Sequence, residues 1–372
     1  MMKYIFLSIL SCLLLVVTGC TGAKEIQNET YITAIGFDYS KGQYTVYLQA
    51  LNFSNIAKQE GGSGLQQASP ILIGQATGKS IQAAISKLEQ HAALPLYYGH
   101  VNTFVLSKNV IEKHLASVIE FIGQNSFLRY NCWLYGTNGD IKKVLSAESF
   151  FNYPSIYTVL HSPSPLLKEN YSMQIEKYNR IISKYNQSVG TLIIPTIDIR
   201  KKIFLQDEKP INIAALTGGF VVAQHQFKGW VKKHDLIGLK WFSEKAARIP
   251  ISLFNERVSV EIIKPKSTIK VISGPKPAYD LIIKANAYIN QNVDNLSVSN
   301  IEKELAQKVR NEILISLERS NQINADLLNI TEIPYRYHHK KWDINVINNI
   351  NKNSVKHINV KIKVQQNINY KR

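Results

Sequence analysis

SNIEKELAQKVRNEILISL, residues 299–317, and INVKIKVQ, residues 358–365, lie near the end of the chain and carry two different periods. In the first, Ile301, Leu305, Val309, Ile313 and Leu317 recur at four-residue steps, so they line one side of a helix. Ser299-Asn300-Ile301-Glu302 opens that helix with capping-box spacing: the serine oxygen takes a free N–H while the glutamate reaches back. In the second stretch, Ile358, Val360, Ile362 and Val364 alternate with Asn359, Lys361, Lys363 and Gln365. A period of two marks a strand with one face in a core and a lysine-bearing face in water. The chain end therefore reads as a folded α+β unit, not a tail.

Upstream of it, strands are expected at Ile211–Leu216, Gly219–Ala223, Ile249–Ile263, Thr268–Ile272 and Leu281–Tyr288. Phe227-Lys228-Gly229-Trp230, with Gly229 as turn, leads through Asp235 into Leu236–Lys240, a strand, turn and short helix. Residues 206–372 are thus a C-terminal α+β domain. Between 146 and 205 the texture changes, with Pro154, Pro163 and Pro165 interrupting it. A helix over Tyr171–Tyr185 carries Tyr171, Ile175, Tyr178, Ile182 and Tyr185 on one stripe, a packing face more readily than a ligand site. Thr191–Ile199 is a strand around Pro195, and the polar stretch from Lys201 to Pro210 is the best linker. Residues 146–205 read as a small middle domain.

Residues 31–145 alternate strand and helix. Tyr31–Tyr39 and Gln43–Phe53 form a hairpin about Ser40-Lys41-Gly42. Asn55–Ala68 is a flexible loop whose glycines lack the Lys-Ser/Thr of a phosphate loop. A strand at Ile71–Thr77 precedes a helix with Ile81, Ala84, Ile85 and Leu88 on one face. Val101–Leu106 is a strand, and Val110, Ile111, Leu115, Val118, Ile119 and Ile122 stripe the next helix. A strand at Leu128–Gly136 and a short helix at Asp140–Leu145 close the segment, which predicts a mixed sheet covered by helices on one face. The fold class is α+β: a three-domain body with mixed and antiparallel sheets flanked by helices.

The first twenty residues carry the strongest chemical signal. Lys3 supplies a positive start, Tyr4 to Val17 is apolar except for Ser8 and Ser11, and Val17-Thr18-Gly19-Cys20 follows. The stretch is too short to span a bilayer core of about 30 Å and ends in small residues, as a cleaved signal does. Val17, Thr18 and Gly19 fill the positions of a bacterial lipobox, with Cys20 as the thiol that takes a diacylglyceryl group. Residues 1–19 are then the signal peptide and 20–30 a lipidated tether. Two acyl chains hold a protein to a membrane where one binds only marginally. Of the three cysteines, Cys12 leaves with the signal and Cys20 is acylated, so Cys132 is expected to be a small buried hydrophobe in a strand.

Composition narrows the chemistry. With 372 residues, 45% hydrophobic and 19% charged, the chain is globular. Three cysteines build neither a disulfide framework nor a four-cysteine zinc site. The net charge of +17 favours something anionic, yet the basic residues are spread without a run of four, which argues against nucleic acid. The nine histidines form no His-Glu-x-x-His, and adjacent His338-His339 point apart on a helix. No serine elbow, Ser-x-x-Lys pair or kinase signature is present. Asp38 reads as a turn-bonding residue, and Trp133, Trp230, Trp241 and Trp342 as core or half-buried rings. The chain is read as no enzyme, with no cofactor and no metal.

Several marks in order complete the reading. They are Cys20, Glu25-Ile26, Ile35-Gly36-Phe37-Asp38, the strand Tyr44–Leu51, Ser69-Pro70 and Tyr98-Gly99-His100. Gly219-Phe220-Val221-Val222, Gly229-Trp230, Leu239-Lys240-Trp241, Trp342 and the closing Ile358–Val364 strand follow. Together they resemble the Ger(x)C family, the lipoprotein C subunits of nutrient germinant receptors in spore-forming bacteria. One departure is Thr21-Gly22, where the family commonly has Trp-Asp after the lipid cysteine. The resemblance implies a three-domain α+β lipoprotein, N-acylated and S-diacylglycerylated at Cys20, on the outer face of the spore inner membrane. It implies polytopic A-type and B-type subunits as partners, no known catalysis, and no direct binding of the small-molecule germinant. The alternative is the substrate-binding lipoprotein of a transporter, which shares the anchor but needs two similar α/β lobes around a cleft.

Overall fold

The computed structural model describes residues 29–51, 70–163, 173–243, 246, 248–351 and 353–366. The predicted first hairpin is present: β1 (Thr30–Ser40) and β2 (Gln43–Leu51) pair antiparallel up to Ser40 and Gln43. Between them Lys41 (φ 50°) and Gly42 (φ 77°) are both left-handed, the two-residue turn whose twist matches the strands. β3 (Ile71–Gly78) adds to β2, and β4 (Leu96–Tyr97) and β5 (Thr103–Ser107) run parallel to β1. β6 (Trp133–Thr137) and β7 (Leu192–Arg200) extend the sheet in parallel. After a two-stranded ribbon of β8 (Leu205–Gln206) and β9 (Lys209–Pro210), β10 (Ile213–Ala223) and β11 (Gln226–Lys232) return antiparallel. The order is β11-β10-β7-β6-β5-β1-β2-β3, with β4 beside β1. Strands from residues 192–232, read by sequence as middle and C-terminal, thus hydrogen-bond into the sheet of the N-terminal segment.

Helices cover both faces of this sheet, not one. α1 (Ile81–His91), α2 (Lys108–Lys113) and α3 (Leu115–Gln124) share one face with Phe37, Phe104, Leu134 and Phe220. The opposite face, with Ala34, Val105, Tyr135, Ile197 and Val221, is covered by α4 (Ile141–Leu145), Leu160 and Leu236. The cause is visible in β1, whose residues Tyr31 to Phe37 are all buried: a continuous apolar run needs cover on both sides. The expected helix from Val110 is two helices broken at His114 (φ −132°). The expected strand from Leu128 begins only at Trp133, and the tyrosine helix is α5 (Tyr178–Tyr185), half the expected length within the described residues. Its Tyr178, Ile182 and Tyr185 do pack on the core.

A second sheet holds β12 (Arg248–Leu253), β13 (Val258–Ile272), β14 (Ala278–Asn292) and β15 (Val355–Gln366), in that order. The expected single strand over 249–263 is a hairpin, because Phe254, Asn255 and Glu256 are left-handed and reverse the chain. The two strands expected at 211–216 and 219–223 are one, β10, with a bulge between Leu216 and Gly218. Likewise Gly229 (φ 130°) sits in a bulge within β11, not at a turn. α6 (Val298–Ile323) lays Ile301, Leu305, Val309 and Ile313 on this sheet. Its cap is Ser297, whose hydroxyl accepts the Asn300 N–H at 3.3 Å. Glu302 does not reach back as a capping box would; it accepts the Val364 N–H of β15 at 2.9 Å.

A 3₁₀ segment, Lys233–Phe242, ties the two units together. Gly238 N–H donates to Ser316 Oγ (2.9 Å), and Ser316 Oγ donates to the Asp235 carbonyl (2.7 Å). Glu312, buried on α6, accepts Trp241 Nε1–H and pairs with Lys240 Nζ, both at 2.9 Å. All four tryptophans are packed as expected: Trp241 and Trp342 are buried, and Trp133 and Trp230 are partly buried against the cores.

Candidate interaction surface

The expected anchor, Cys20 with Val17, Thr18 and Gly19, lies outside the described residues, as do the loop at 55–68, Tyr171 and Pro165. Cys132 is buried just before β6, its thiol shared between the carbonyls of Val101 (3.1 Å) and Arg129 (3.0 Å). Burial pushes its pKa up to about 11, against smaller opposing pulls from Arg129 and Lys177. A thiol held protonated in a core is no nucleophile.

One buried polar network underlies the first sheet. His161 Nε2 lies 2.8 Å from Gln49 Oε1, which also accepts from Thr33 Oγ1 at 2.9 Å, so Nε2 carries the proton. Gln49 Nε2 donates to the Leu145 carbonyl at 2.7 Å. Nδ1 is then an acceptor, and Thr103 Oγ1 spends its proton on the Leu160 carbonyl at 2.7 Å. The Asn102 amide atom 2.5 Å from Nδ1 and 2.9 Å from Thr103 Oγ1 must accordingly be its nitrogen. Burial holds the imidazole pKa down at about 4, so the ring is neutral. No carboxylate of the described residues bonds to it, which makes this a satisfied structural network and no acid–base pair.

Parallel sheets of this kind bind ligands beyond the carboxyl ends of their strands. There an open cleft of about 620 Å³ is lined by Asp38, Lys108, Thr137, Asp140 and Lys142. Its carboxylates hold backbone: Asp38 accepts the Tyr39 N–H and Asp140 the Lys142 N–H, both at 2.8 Å. Nearby Asp198 accepts from Thr137 and Thr217 hydroxyls, each at 2.7 Å, and from Gly139 N–H at 3.1 Å. These bonds fix the loops of the cleft wall. Among the described residues no group of three His, Cys, Asp or Glu could hold a metal ion. No helix of the described residues is long and apolar enough to cross a membrane.

The most unusual surface is aromatic. Phe150, Phe151, Tyr153, Tyr157 and Phe204 are exposed, from 46% for Phe150 to 66% for Phe151, with Ile203 and Leu205 beside them. Their rings form a chain: Phe204–Phe150 centroids lie 4.9 Å apart, Phe151–Tyr153 6.2 Å and Tyr153–Tyr157 5.7 Å. The display is built, not loose. Phe151 and Asn152 are both left-handed (φ 55° and 56°), a conformation that costs a side-chain-bearing residue energy. Gln206 pins them, accepting the Phe151 N–H at 2.8 Å and donating to Asn152 Oδ1 at 3.1 Å. Glu148 accepts the Asn212 N–H at 2.6 Å and fixes the base of the loop to β10. Contiguous exposed rings on strained, braced backbone make this a candidate docking surface. Sequence reading missed it because Phe150 and Phe204 are far apart in the chain and meet only when β7 and β10 are in place.

Comparison with known proteins supplies the remaining finding. Residues 22–199 match the family described as spore germination protein N-terminal domain, and residues 217–371 match spore germination B3/GerAC like, C-terminal. The chain is similar to spore germination protein KC of Bacillus subtilis (strain 168), 21% identical over 92% of this chain and 90% of that protein. It is also similar to the putative spore germination protein YfkR of the same organism, 24% identical over 38% of this chain and 37% of the other. Among solved structures, the crystal structure of the GerBC protein shares the fold, with a TM-score of 0.53 at 14% identity, covering 89% of this chain and 96% of that one.

Proposed function

The chain belongs to the Ger(x)C family of spore germination proteins, and from that premise we propose that it is the non-catalytic C subunit of a nutrient germinant receptor. It is held on the outer face of the spore inner membrane through acylated Cys20 and scaffolds the polytopic A-type and B-type subunits. The observation that carries this reading is the pair of family matches, which together run from residue 22 to residue 371. The lipobox-like Val17-Thr18-Gly19-Cys20 supports the anchor. The braced aromatic surface supports a protein partner, since exposed Phe and Tyr are the rings that dominate interface energetics. Confinement to the membrane plane raises the effective concentration of that surface near a membrane partner, so a modest interface suffices. The transporter reading is disfavoured because the two units are unlike: one a mixed sheet wrapped on both faces, the other a four-stranded sheet under one long helix.

Purification of the tagged protein from spore inner membranes in mild detergent, with mass spectrometry of what accompanies it, tests the proposal. Stoichiometric polytopic partners, one of them permease-like, are expected. An ABC permease with its ATPase would replace the receptor reading with the transporter one. Cys20→Ala should release the protein from membranes and reduce nutrient-triggered germination; unchanged membrane retention would remove the anchor.

A further inference from the structure

The outer face of the second sheet carries a charge arrangement that packing does not require. Lys266 of β13 is registered opposite Lys284 of β14, and Lys284 opposite Lys361 of β15. Strands in a sheet lie about 5 Å apart, so three lysines stand side by side across three strands. The adjoining row pairs Asn286 with Lys363 and adds a fourth. All four lysines are exposed. The same strands turn Ile269, Ile283 and Ile362 to the other face, against α6, so the core is complete without the lysines. Like charges directly opposite one another destabilise a sheet. No acidic side chain of the described residues pairs with any of the four. The two carboxylates on this face are engaged elsewhere: Glu261 with Arg248 (3.7 Å), and Asp280 with His357 (2.8 Å) and opposite Lys270 in register.

We propose that this lysine face rests on an anionic phospholipid surface and sets the orientation of the body on the membrane. Protein interfaces are depleted in lysine and enriched in arginine and aromatic residues, and the row of Lys266, Lys284, Lys361 and Lys363 contains neither. Lysine is a compact point charge that meets phosphates in any orientation, as a fluid headgroup layer presents them, whereas arginine suits fixed bidentate partners. A charged leaflet attracts such groups within a Debye length of about 8 Å. On the tethered reading, acylated Cys20 keeps the body beside a bilayer. The inference rests on that tethered reading and goes beyond it by naming the face that touches lipid.

The test uses the acylated full chain in vesicles of phosphatidylcholine, alone or mixed with phosphatidylglycerol. Amine-reactive labelling is read lysine by lysine by mass spectrometry, and flotation reports vesicle attachment. Lys266, Lys284, Lys361 and Lys363 should react roughly fivefold or more slowly on the anionic vesicles, the factor expected per lysine at a charged leaflet. Lys113 and Lys142, exposed on the first unit, should react equally on both. High salt should remove the protection. The triple variant K266Q/K284Q/K361Q should float like the parent and melt no lower, since it relieves the like-charge opposition, while Lys363 loses its protection. Equal labelling on both vesicles with the protein afloat overturns the proposal, as does protection by matched duplex DNA in place of lipid. Failure to float overturns the tethered reading instead, and this inference with it.

Discussion

Lowering the pH from about 7 to about 5 should cost the fold about 2 kcal/mol through His161 alone. In the folded chain its imidazole is buried, bonded as a neutral ring to Gln49, and titrates at about 4; in the unfolded chain it titrates near 6.5. Between those values the unfolded state binds a proton that the folded state refuses. The stability is therefore complete above about pH 6.5 and is lost progressively toward pH 4, at about 1.4 kcal/mol per unit. The control is His161→Gln, which cannot titrate and forfeits about 1–2 kcal/mol at neutral pH through imperfect bonds to Gln49 and Asn102. Urea midpoints for both chains across this range give the assay. The parent's advantage at pH 7 should shrink by about 2 kcal/mol by pH 5. Carboxylates titrate alike in both chains and cancel, including buried Asp326, which desolvation holds above the usual range. An advantage that stays constant from pH 7 to pH 5 would refute the buried neutral ring.

Gly238→Ala would place a Cβ 2.8 Å from the Glu312 carbonyl oxygen, and a urea midpoint should show a loss of about 2–3 kcal/mol as the 3₁₀ segment is pushed off α6. Lys240→Met should cost about 3 kcal/mol by leaving the buried Glu312 carboxylate without its cation, held by the Trp241 N–H, and adding Glu312→Gln should recover much of it in the same assay. Cys132 should resist a thiol reagent at pH 8 in the folded chain and react fully in denaturant, followed by absorbance. Phe151→Ser with Phe204→Ser should leave the melting temperature unchanged while co-purified polytopic partners fall about tenfold or more; unchanged recovery would remove the aromatic surface from the assembly.

Local periodicity made much of the fold legible. The β1–β2 turn, α1, α4, the buried side of α6 and the alternation of β15 follow from short-range patterns that tertiary context reinforces. What sequence missed depends on long-range pairing or on backbone conformations few residues advertise. Phe254, Asn255 and Glu256 carry no glycine, so their left-handed reversal was hidden and a hairpin read as one strand. Glu302 had capping spacing, but its carboxylate satisfies an edge-strand N–H from a residue far along the chain. Of the candidate sites, the proposed anchor motif is readable in sequence because a lipobox needs adjacent residues. The aromatic surface and the lysine row are not, because Phe150 with Phe204, and Lys266 with Lys284 and Lys361, become neighbours only through strand register.

The joint at residues 233–242 bears on how those surfaces act together. Glu312 receives an indole N–H and an ammonium within the same buried site, and Gly238 lets the segment touch the α6 backbone where any Cβ would collide. Ser316 bonds both ways across the seam, and Arg319 donates to the Trp230 carbonyl of β11 from the next turn of the same helix. Such a seam cannot slide without stranding a buried charge, which costs more than a surface contact returns. The aromatic surface on the first unit and the lysine face on the second therefore hold a fixed relation. On the proposed lipid contact, orienting one of them orients the other, so weakening the lysine face should lower partner recovery.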